Sequence, residues 1–463
     1  MVTSEAAPFV KTGGLGDVLG SLPAALVKRG DDVAVVLPRY RIAEIPHSER
    51  VWYSMPLNLG AHRFSIAVDQ VVLHGVRYLF VDCPPLYDRA GVYNEHGVDY
   101  GDNHIRFGIL NQAALGIARN IFRPDVFHAH DWPAGLLPCY LRAGYAGDPT
   151  FFGAKCVLTI HNLGYQGNFP AWTLGDLGLD ASLYHPEGLE FYGRLSFLKA
   201  GVVWSDAITT VSPTYAQEIQ TPEFGFGFDG LLRSRAYKLS GILNGVDYEQ
   251  WDPSNDPYIP AHYSASDFSN KRTCKVALLE ALGLPKDAER PLIGVVSRFV
   301  YQKGFDLFGE IAGQVASEDV AMAILGSGER AIEDMFLHFA RVHPDQFGVR
   351  IVYNNAFAHL IEAGSDMFLM PSRYEPSGLS QMYSLRYGTV PIVRATGGLE
   401  DSVHDDSGFK FSGYDPQAML AVIREALAAY RDRTGWEQRM RHGMAKDFSW
   451  DVSAAKYQEL YRA

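Results

Sequence analysis

The segment Pro371-Ser-Arg-Tyr-Glu-Pro-Ser-Gly378 sets one carboxylate, Glu375, between the apolar run Asp366-Met-Phe-Leu-Met370 and the stretch Leu379–Arg386, whose apolar residues recur at helical spacing. A carboxylate at a strand-to-helix crossing can orient hydroxyls, shuttle a proton, attack as a nucleophile, or cap a surface loop. Backbone N–H groups at the start of the following helix lack intrahelical partners and carry the positive end of its dipole. An anion or a sugar hydroxyl can therefore dock beside Glu375.

Other loops carry groups suited to the same ligands. Lys11-Thr-Gly-Gly-Leu-Gly-Asp17 opens a helix, and its paired glycines let backbone amides approach a phosphate or sugar without a Cβ in the way. It is neither a GxGxxG fingerprint nor a P-loop, and a plain tight turn is the alternative. In Ser297-Arg-Phe-Val-Tyr-Gln-Lys-Gly304, Arg298 offers a planar fork and Lys303 a point charge, a pairing suited to a diphosphate or to a solvated surface. His128-Ala-His-Asp-Trp132 ends a strand over 124–128, and the strand over 155–160 runs on into His161 and Asn162. The HxH with its Asp could hold a metal for a hydrolase. Alternatively, Asp131 and His161 face a cleft from adjacent strand ends, with Asp131 also placed to cap the next helix. Asn244, in Asn244-Gly-Val-Asp247, could bond a hydroxyl or shape a turn, and Tyr353 could stack on a base or fill a core. Trp132, Tyr165, Phe169 and Trp172 are candidates to stack on sugar rings.

The elements that must position these groups alternate between apolar strand-like runs and amphipathic stretches, the pattern of parallel sheets with crossover helices. In the N-terminal half, strands are expected at 32–37, 124–128, 155–160 and 206–211, and helices near 16–29, 105–119 and 193–204. The stretch 63–81 alternates like an antiparallel hairpin. After an irregular connection over 251–272, strands are expected at 291–297, 320–325, 349–353, 366–370 and 390–393, with a helix between 415 and 433. Two doubly wound α/β units of about 200 residues follow, with ligands expected at strand carboxyl ends and in the cleft between the units. The first strand is short, and a few residues are expected to precede Met1.

Composition narrows the function class. A chain of 463 residues with 47% apolar content supports two or three cores. A formal net charge of -12 argues against a general nucleic-acid binder. Cys83, Cys139, Cys156 and Cys274 lie too far apart for a metal or redox motif, so buried thiols in a reducing compartment are expected. No apolar run reaches the ~18 residues of a membrane helix, and no secretory signal is seen, so a soluble cytoplasmic protein is expected.

Seven motifs, KTGGLGDV (11–18), HAHDW (128–132), IHNLGYQG (160–167), ILNGVD (242–247), SRFVYQKG (297–304), PSRYEPSGLSQMYSLRYG (371–388) and RATGGLEDSV (394–403), together resemble the bacterial glycogen and starch synthase family in order and spacing. The resemblance implies two Rossmann-like domains facing a deep cleft, the B-type glycosyltransferase fold. It places an acceptor-side domain at 1–243 with a C-terminal helix, 446–463, returning to it, and a nucleotide-sugar-binding domain at 244–445. It implies metal-free, cofactor-free transfer of glucose from ADP-glucose to the non-reducing end of an α-1,4-glucan, glycogen or a maltooligosaccharide, with retention of configuration; no nucleic-acid or membrane partner is expected from the charge and the apolar pattern. By the same resemblance, Lys11, Gly13 and Gly14 meet the donor diphosphate and Asp17 the ribose region, while Arg298 and Lys303 neutralise departing ADP. His161 bonds the glucose 6-hydroxyl with Asn162 and Asn244 nearby, Asp131 lines the acceptor side, and Tyr353 stacks on adenine. Glu375 holds glucose hydroxyls, helped by the amides of Ser377 and Gly378, with Leu379 and Ser380 by the phosphates. Ser377 departs from the cysteine of many relatives, which rules out a thiol role there. A glucan phosphorylase, a sucrose-type synthase and a non-catalytic glucan binder are the competing readings; no motif identifies the cofactor lysine a phosphorylase needs.

Overall fold

The computed structural model describes residues 1–463, and the chain separates into two compact units. The first comprises 1–211, 216–245 and 450–463, and the second 212–215 and 246–449.

In the first unit, strand Ala34–Pro38 is buried at every residue, as an apolar run between two helical layers must be. It pairs in parallel with Val76–Asp82, beyond which His62–Leu73 and Glu49–Leu59 continue antiparallel. On its other side Val2 bridges in parallel to both Val36 and Ala129, so the first residues of the chain join this half of the sheet to Val126–His130. Lys155–Ile160, Ala207–Thr210 and Leu239–Gly241 extend the sheet in parallel. The order reverses beside Val2, and the loops leaving Val2 and His130 therefore emerge at a switch point where open α/β sheets bind ligands. Helix Trp450–Arg462 packs on helix Gly14–Lys28, held by Arg29 Nε donating to Gln458 Oε1 at 3.0 Å.

The second unit is a six-stranded, all-parallel sheet in the order Phe347–Ile351, Ala321–Gly328, Leu292–Phe299, Met367–Met370, Val390–Arg394, Phe409–Phe411. Alternate residues feed two cores. Ile293, Val295, Met322, Ile324, Met367 and Leu369 pack with helices Phe305–Val315 and Pro416–Tyr430, whereas Leu292, Ala323, Leu325 and Phe368 pack with Ser269–Leu282 and Asn355–Gly364. In chain order the strands read 3-2-1-4-5-6, and the reversal falls between Leu292–Phe299 and Met367–Met370.

Several boundaries differ from the expected ones. The expected strand over 124–128 runs from Val126 to His130, because both histidines are buried in the ladder and the turn comes only at Asp131, where φ is +56°. The helix expected from 193 begins at Phe197; Arg194–Ser196 is a strand, and the Ser196 side chain caps the helix by accepting from the Lys199 amide. The strand expected to end on Tyr353 stops at Ile351. The helix expected over 415–433 ends at Tyr430, and a second begins at Arg433 with Asp432 as its cap. The irregular connection gives way to helix at Ser269. All four cysteines are free and buried.

Candidate active site

At the switch point of the second unit, strand Leu292–Phe299 delivers Arg298, and the turn after it delivers Lys303. Gly304 makes that turn possible: its φ is +71°, and a Cβ there would lie 2.1 Å from the Pro371 carbonyl oxygen. The turn is thereby packed directly against the loop that follows Met367–Met370. Lys303 Nζ donates to Glu375 Oε2 at 2.5 Å, and Ser372 Oγ donates to the same oxygen at 2.9 Å. Glu375 is buried. Arg373 N donates to Gln302 O and Gln302 Nε2 to Tyr374 O, fastening the two loops on either side of the ion pair. Arg298, in contrast, is exposed, and its guanidinium makes no ion pair within the protein.

The Glu375 loop is fixed from behind by a second glycine pair. Gly398 N donates to Glu375 O at 3.0 Å, and a Cβ on Gly397, whose φ is +45°, would lie 2.0 Å from that oxygen. Gln381 Nε2 donates to the carbonyls of Ser377 and Gly378 and to Ser402 Oγ. With those carbonyls turned inward, the amides of Ser377, Gly378 and Leu379 donate to no protein acceptor, and helix Ser380–Arg386 starts immediately beyond them. The site thus sets three amide donors beside a fixed carboxylate. Tyr353 lies past the end of Phe347–Ile351 and is 81% exposed, which excludes a core role.

The first unit gathers the remaining candidates around its own switch point. Helix Gly14–Lys28 begins inside the glycine loop, with Gly13 at its N-cap in extended backbone and open space where either glycine's Cβ would be. Lys11 Nζ pairs with Asp17 Oδ1 at 2.6 Å across the loop. Asp131 accepts from the His161 amide at 2.6 Å, and the Asn162 amide is also directed at it. It does not cap the helical turn that follows, because its positive φ swings the side chain toward the end of the neighbouring strand instead. Burial pushes its carboxyl up to about 7 despite those amides. His161 Nε2 lies 3.0 Å from His130 Nδ1, and burial pushes the His161 imidazole down to about 3. The Asn162 side chain accepts from Gly164 N. Asn244 is buried, and its Oδ1 has no partner.

The metal reading of HxHD finds no support in the donor arrangement. His128 engages Tyr461 OH through Nδ1 and Thr159 Oγ1 through Nε2, and no three His, Cys, Asp or Glu side chains converge on a common point. Among the candidate stacking aromatics, Trp132 and Phe169 belong to a packed cluster with Phe107 and Phe197, whereas Tyr165 and Trp172 are exposed.

A family model described as the starch synthase catalytic domain matches residues 1–234, and one described as glycosyl transferases group 1 matches 283–443. Glycogen synthase of Anaeromyxobacter dehalogenans is 49% identical over 100% of this chain and 98% of its own length. The chain belongs to the glycogen and starch synthase family. Glycogen synthase of Koribacter versatilis is 46% identical over 99% of this chain and 96% of its own, and that of Myxococcus xanthus 48% over 99% and 98%. The catalytic domain of starch synthase IV from Arabidopsis thaliana, bound to ADP and acarbose, superposes with a TM-score of 0.90 at 32% identity, covering 100% of this chain and 98% of that one. Sucrose-phosphate synthase from Thermosynechococcus elongatus shares the fold alone, with a TM-score of 0.63 at 16% identity over 100% and 97%. As a member of this family the chain is a hexosyltransferase with the B-type glycosyltransferase fold. No helix is long and apolar enough to cross a membrane.

Glu5 lies outside all seven motifs. This buried carboxylate accepts from the Thr12 amide and hydroxyl, from Gly13 N at 3.3 Å, and from Tyr93 OH at 2.5 Å. It holds the glycine loop in place, and its position just after the first strand is the one signal that could have marked it.

Proposed function

We propose that the chain transfers glucose from ADP-glucose to the non-reducing end of an α-1,4-glucan, with retention of configuration and release of ADP, in the cytoplasm. The observation that carries this reading is the Glu375–Lys303 pair standing beside the outward amides of Ser377, Gly378 and Leu379 at a doubly wound switch point. The second unit is the nucleotide-sugar domain and the first the acceptor-side domain.

Each group has work that fits its chemistry. Arg298 and Lys303 neutralise the diphosphate as the glycosidic bond to it breaks, and the amides of Ser377 to Leu379 bind anionic oxygens, with Ser380 alongside. Lys11 with the Gly13 and Gly14 backbone is suited to the donor diphosphate, Asp17 to the ribose region, and Tyr353 to stacking on adenine. Glu375 accepts hydrogen bonds from glucose hydroxyls. A carboxylate already bonded to an ammonium and a hydroxyl is a weak nucleophile but a fixed acceptor, which favours same-face substitution over a covalent glucosyl intermediate. In that path the leaving phosphate oxygen takes the acceptor hydroxyl proton while a short-lived oxocarbenium-like centre forms, and the protein supplies position and electrostatics. His161, neutral near pH 7, with Asn162 and Asn244, holds the glucose 6-hydroxyl side, and Asp131 lines the acceptor side.

Labelled ADP-glucose and UDP-glucose, each supplied with maltooligosaccharides, test the reading. Chain extension is expected with ADP-glucose in preference, and unchanged in chelator. Folded protein that binds maltooligosaccharide but extends no chain from either donor would instead mark a glucan-binding protein.

A further inference from the structure

His130 is fully buried on strand Val126–His130. Its Nδ1 lies 3.0 Å from His161 Nε2, and its own Nε2, also buried, has no hydrogen-bond partner. Burial, reinforced by His128 and His161 beside it, holds the His130 imidazole well below the usual range, and His161 is low for the same first reason. Both rings are neutral near pH 7, so each carries one N–H, and one proton occupies the contact between them.

The position of that proton follows from the orphan nitrogen. If His161 Nε2 held it, His130 would have to carry its own proton on Nε2, leaving a buried N–H with no acceptor. If His130 Nδ1 holds it, the buried Nε2 is only a lone pair without a donor. Buried orphan N–H groups are rarer than under-satisfied acceptors, and the second arrangement is the cheaper one. His128 offers no escape, since both of its nitrogens are engaged by Tyr461 and Thr159; its ring lies 4.0 Å from that of His130 and fixes the plane. The remaining titratable group facing His130 is the α-amino group of Met1.

We propose that His130 is a positioning residue that donates from Nδ1 to His161 Nε2 and so fixes His161 as its Nδ1–H tautomer, a hydrogen-bond donor toward the substrate. His161 Nδ1 makes no bond within the protein and is the nitrogen left to meet a ligand oxygen. The catalytic consequence rests on the reading of His161 as a sugar-binding group; the tautomer itself does not.

Two-bond proton–nitrogen correlation on the ¹⁵N-histidine-labelled full chain, without substrate, reads the tautomer directly. His161 is expected to carry its proton on Nδ1, and a proton on Nε2 overturns the proposal whatever the activity. In His130→Leu the Nδ1–H tautomer is expected to lose its dominance and kcat to fall about tenfold with little change in KM. His130→Asn, whose amide N–H takes the place of Nδ1, is expected to restore both. A leucine variant that keeps the Nδ1–H tautomer also overturns it. The wild-type spectrum decides even if the leucine variant fails to fold. A correct tautomer in a protein without transferase activity would sink the functional reading alone.

Discussion

Lys303 Nζ and Glu375 Oε2 form one ion pair, 2.5 Å apart, with side chains only 17% and 6% exposed. The cation assigned to the departing diphosphate and the carboxylate assigned to the glucose hydroxyls are therefore a single electrostatic unit. Glu375 Oε2 is already shared by Lys303 and Ser372, so Oε1 is the oxygen left for a sugar hydroxyl. Charge drawn from Lys303 by a bound diphosphate would strengthen Glu375 as an acceptor, linking the two halves of the donor.

That pairing separates two lysine-and-arginine substitutions that sequence alone treats alike. Lys303→Ala removes one member of a mostly buried pair, and the stranded carboxylate is expected to cost about 3 kcal/mol of stability as well as turnover. Arg298→Ala removes an exposed, unpaired cation and is expected to leave the unfolding midpoint unchanged. Both are expected to lower kcat by ~10²–10³, about 3–4 kcal/mol of barrier. Denaturant melts beside turnover of ADP-glucose check the split; wild-type turnover by folded Arg298→Ala would remove that residue from the leaving-group role.

The buried parallel strands of both units were legible because continuous apolar runs bounded by turn residues leave few alternatives, and Lys155–Ile160 shows the case at its clearest. Val126–His130 was misplaced by two residues because polar histidines inside a ladder break the apolar run. The small antiparallel sheet of Asn168–Pro170, Glu190–Phe191 and Arg194–Ser196 carries no pattern in the sequence, because strands of two or three residues are too short to show a period. Site loops could be matched to motifs, yet the bonds among them were invisible. Glu375 meets Lys303 across 72 residues and Glu5 meets Tyr93 across 88, and no local pattern encodes which distant partner a buried carboxylate will find.

Glycines around the site divide into two kinds that substitution can tell apart. A methyl on Gly397 would strike the Glu375 carbonyl at 2.0 Å, on a residue already at φ +45°, so Gly397→Ala is expected to cost about 3 kcal/mol or more of stability. Gly14 has nothing within 4 Å of its Cβ position and sits at a helix start, so Gly14→Ala is expected to change stability by no more than about 0.5 kcal/mol. If its open face admits a phosphate, the same variant raises KM for ADP-glucose about tenfold or more. An unchanged KM would show that the loop does not touch the donor.

Tyr353 tests the nucleotide end. At 81% exposure it contributes little to folding, and Tyr353→Ala is expected to leave the melting temperature unchanged. Stacking on a base is worth about 1–3 kcal/mol, so KM for ADP-glucose and the inhibition constant of ADP should both rise by roughly tenfold, while Tyr353→Phe stays near wild type. Equal kinetics in the alanine variant would move the base elsewhere.

Asp131 makes stability depend on pH in an identifiable window. Its folded carboxyl titrates at about 7 because it is buried, whereas an unfolded aspartate titrates near ~3.9. Between those values the folded state keeps a proton that the unfolded state has lost, so stability attributable to this group is full below about pH 4 and is lost as pH rises through about 7. The difference amounts to something on the order of 4 kcal/mol. Glu362, also pushed up, to about 8, contributes a slope of the same sign, but it does so equally in wild type and in an Asp131 variant. Asp131→Asn keeps a carbonyl to accept the amides of His161 and Asn162 and removes the titration. Its unfolding free energy, measured by denaturant from about pH 4.5 to about pH 7.5, is therefore expected to fall less steeply than that of wild type. Parallel curves would mean that Asp131 is ionised throughout, and the neutral-acid state of this carboxyl would have to be abandoned.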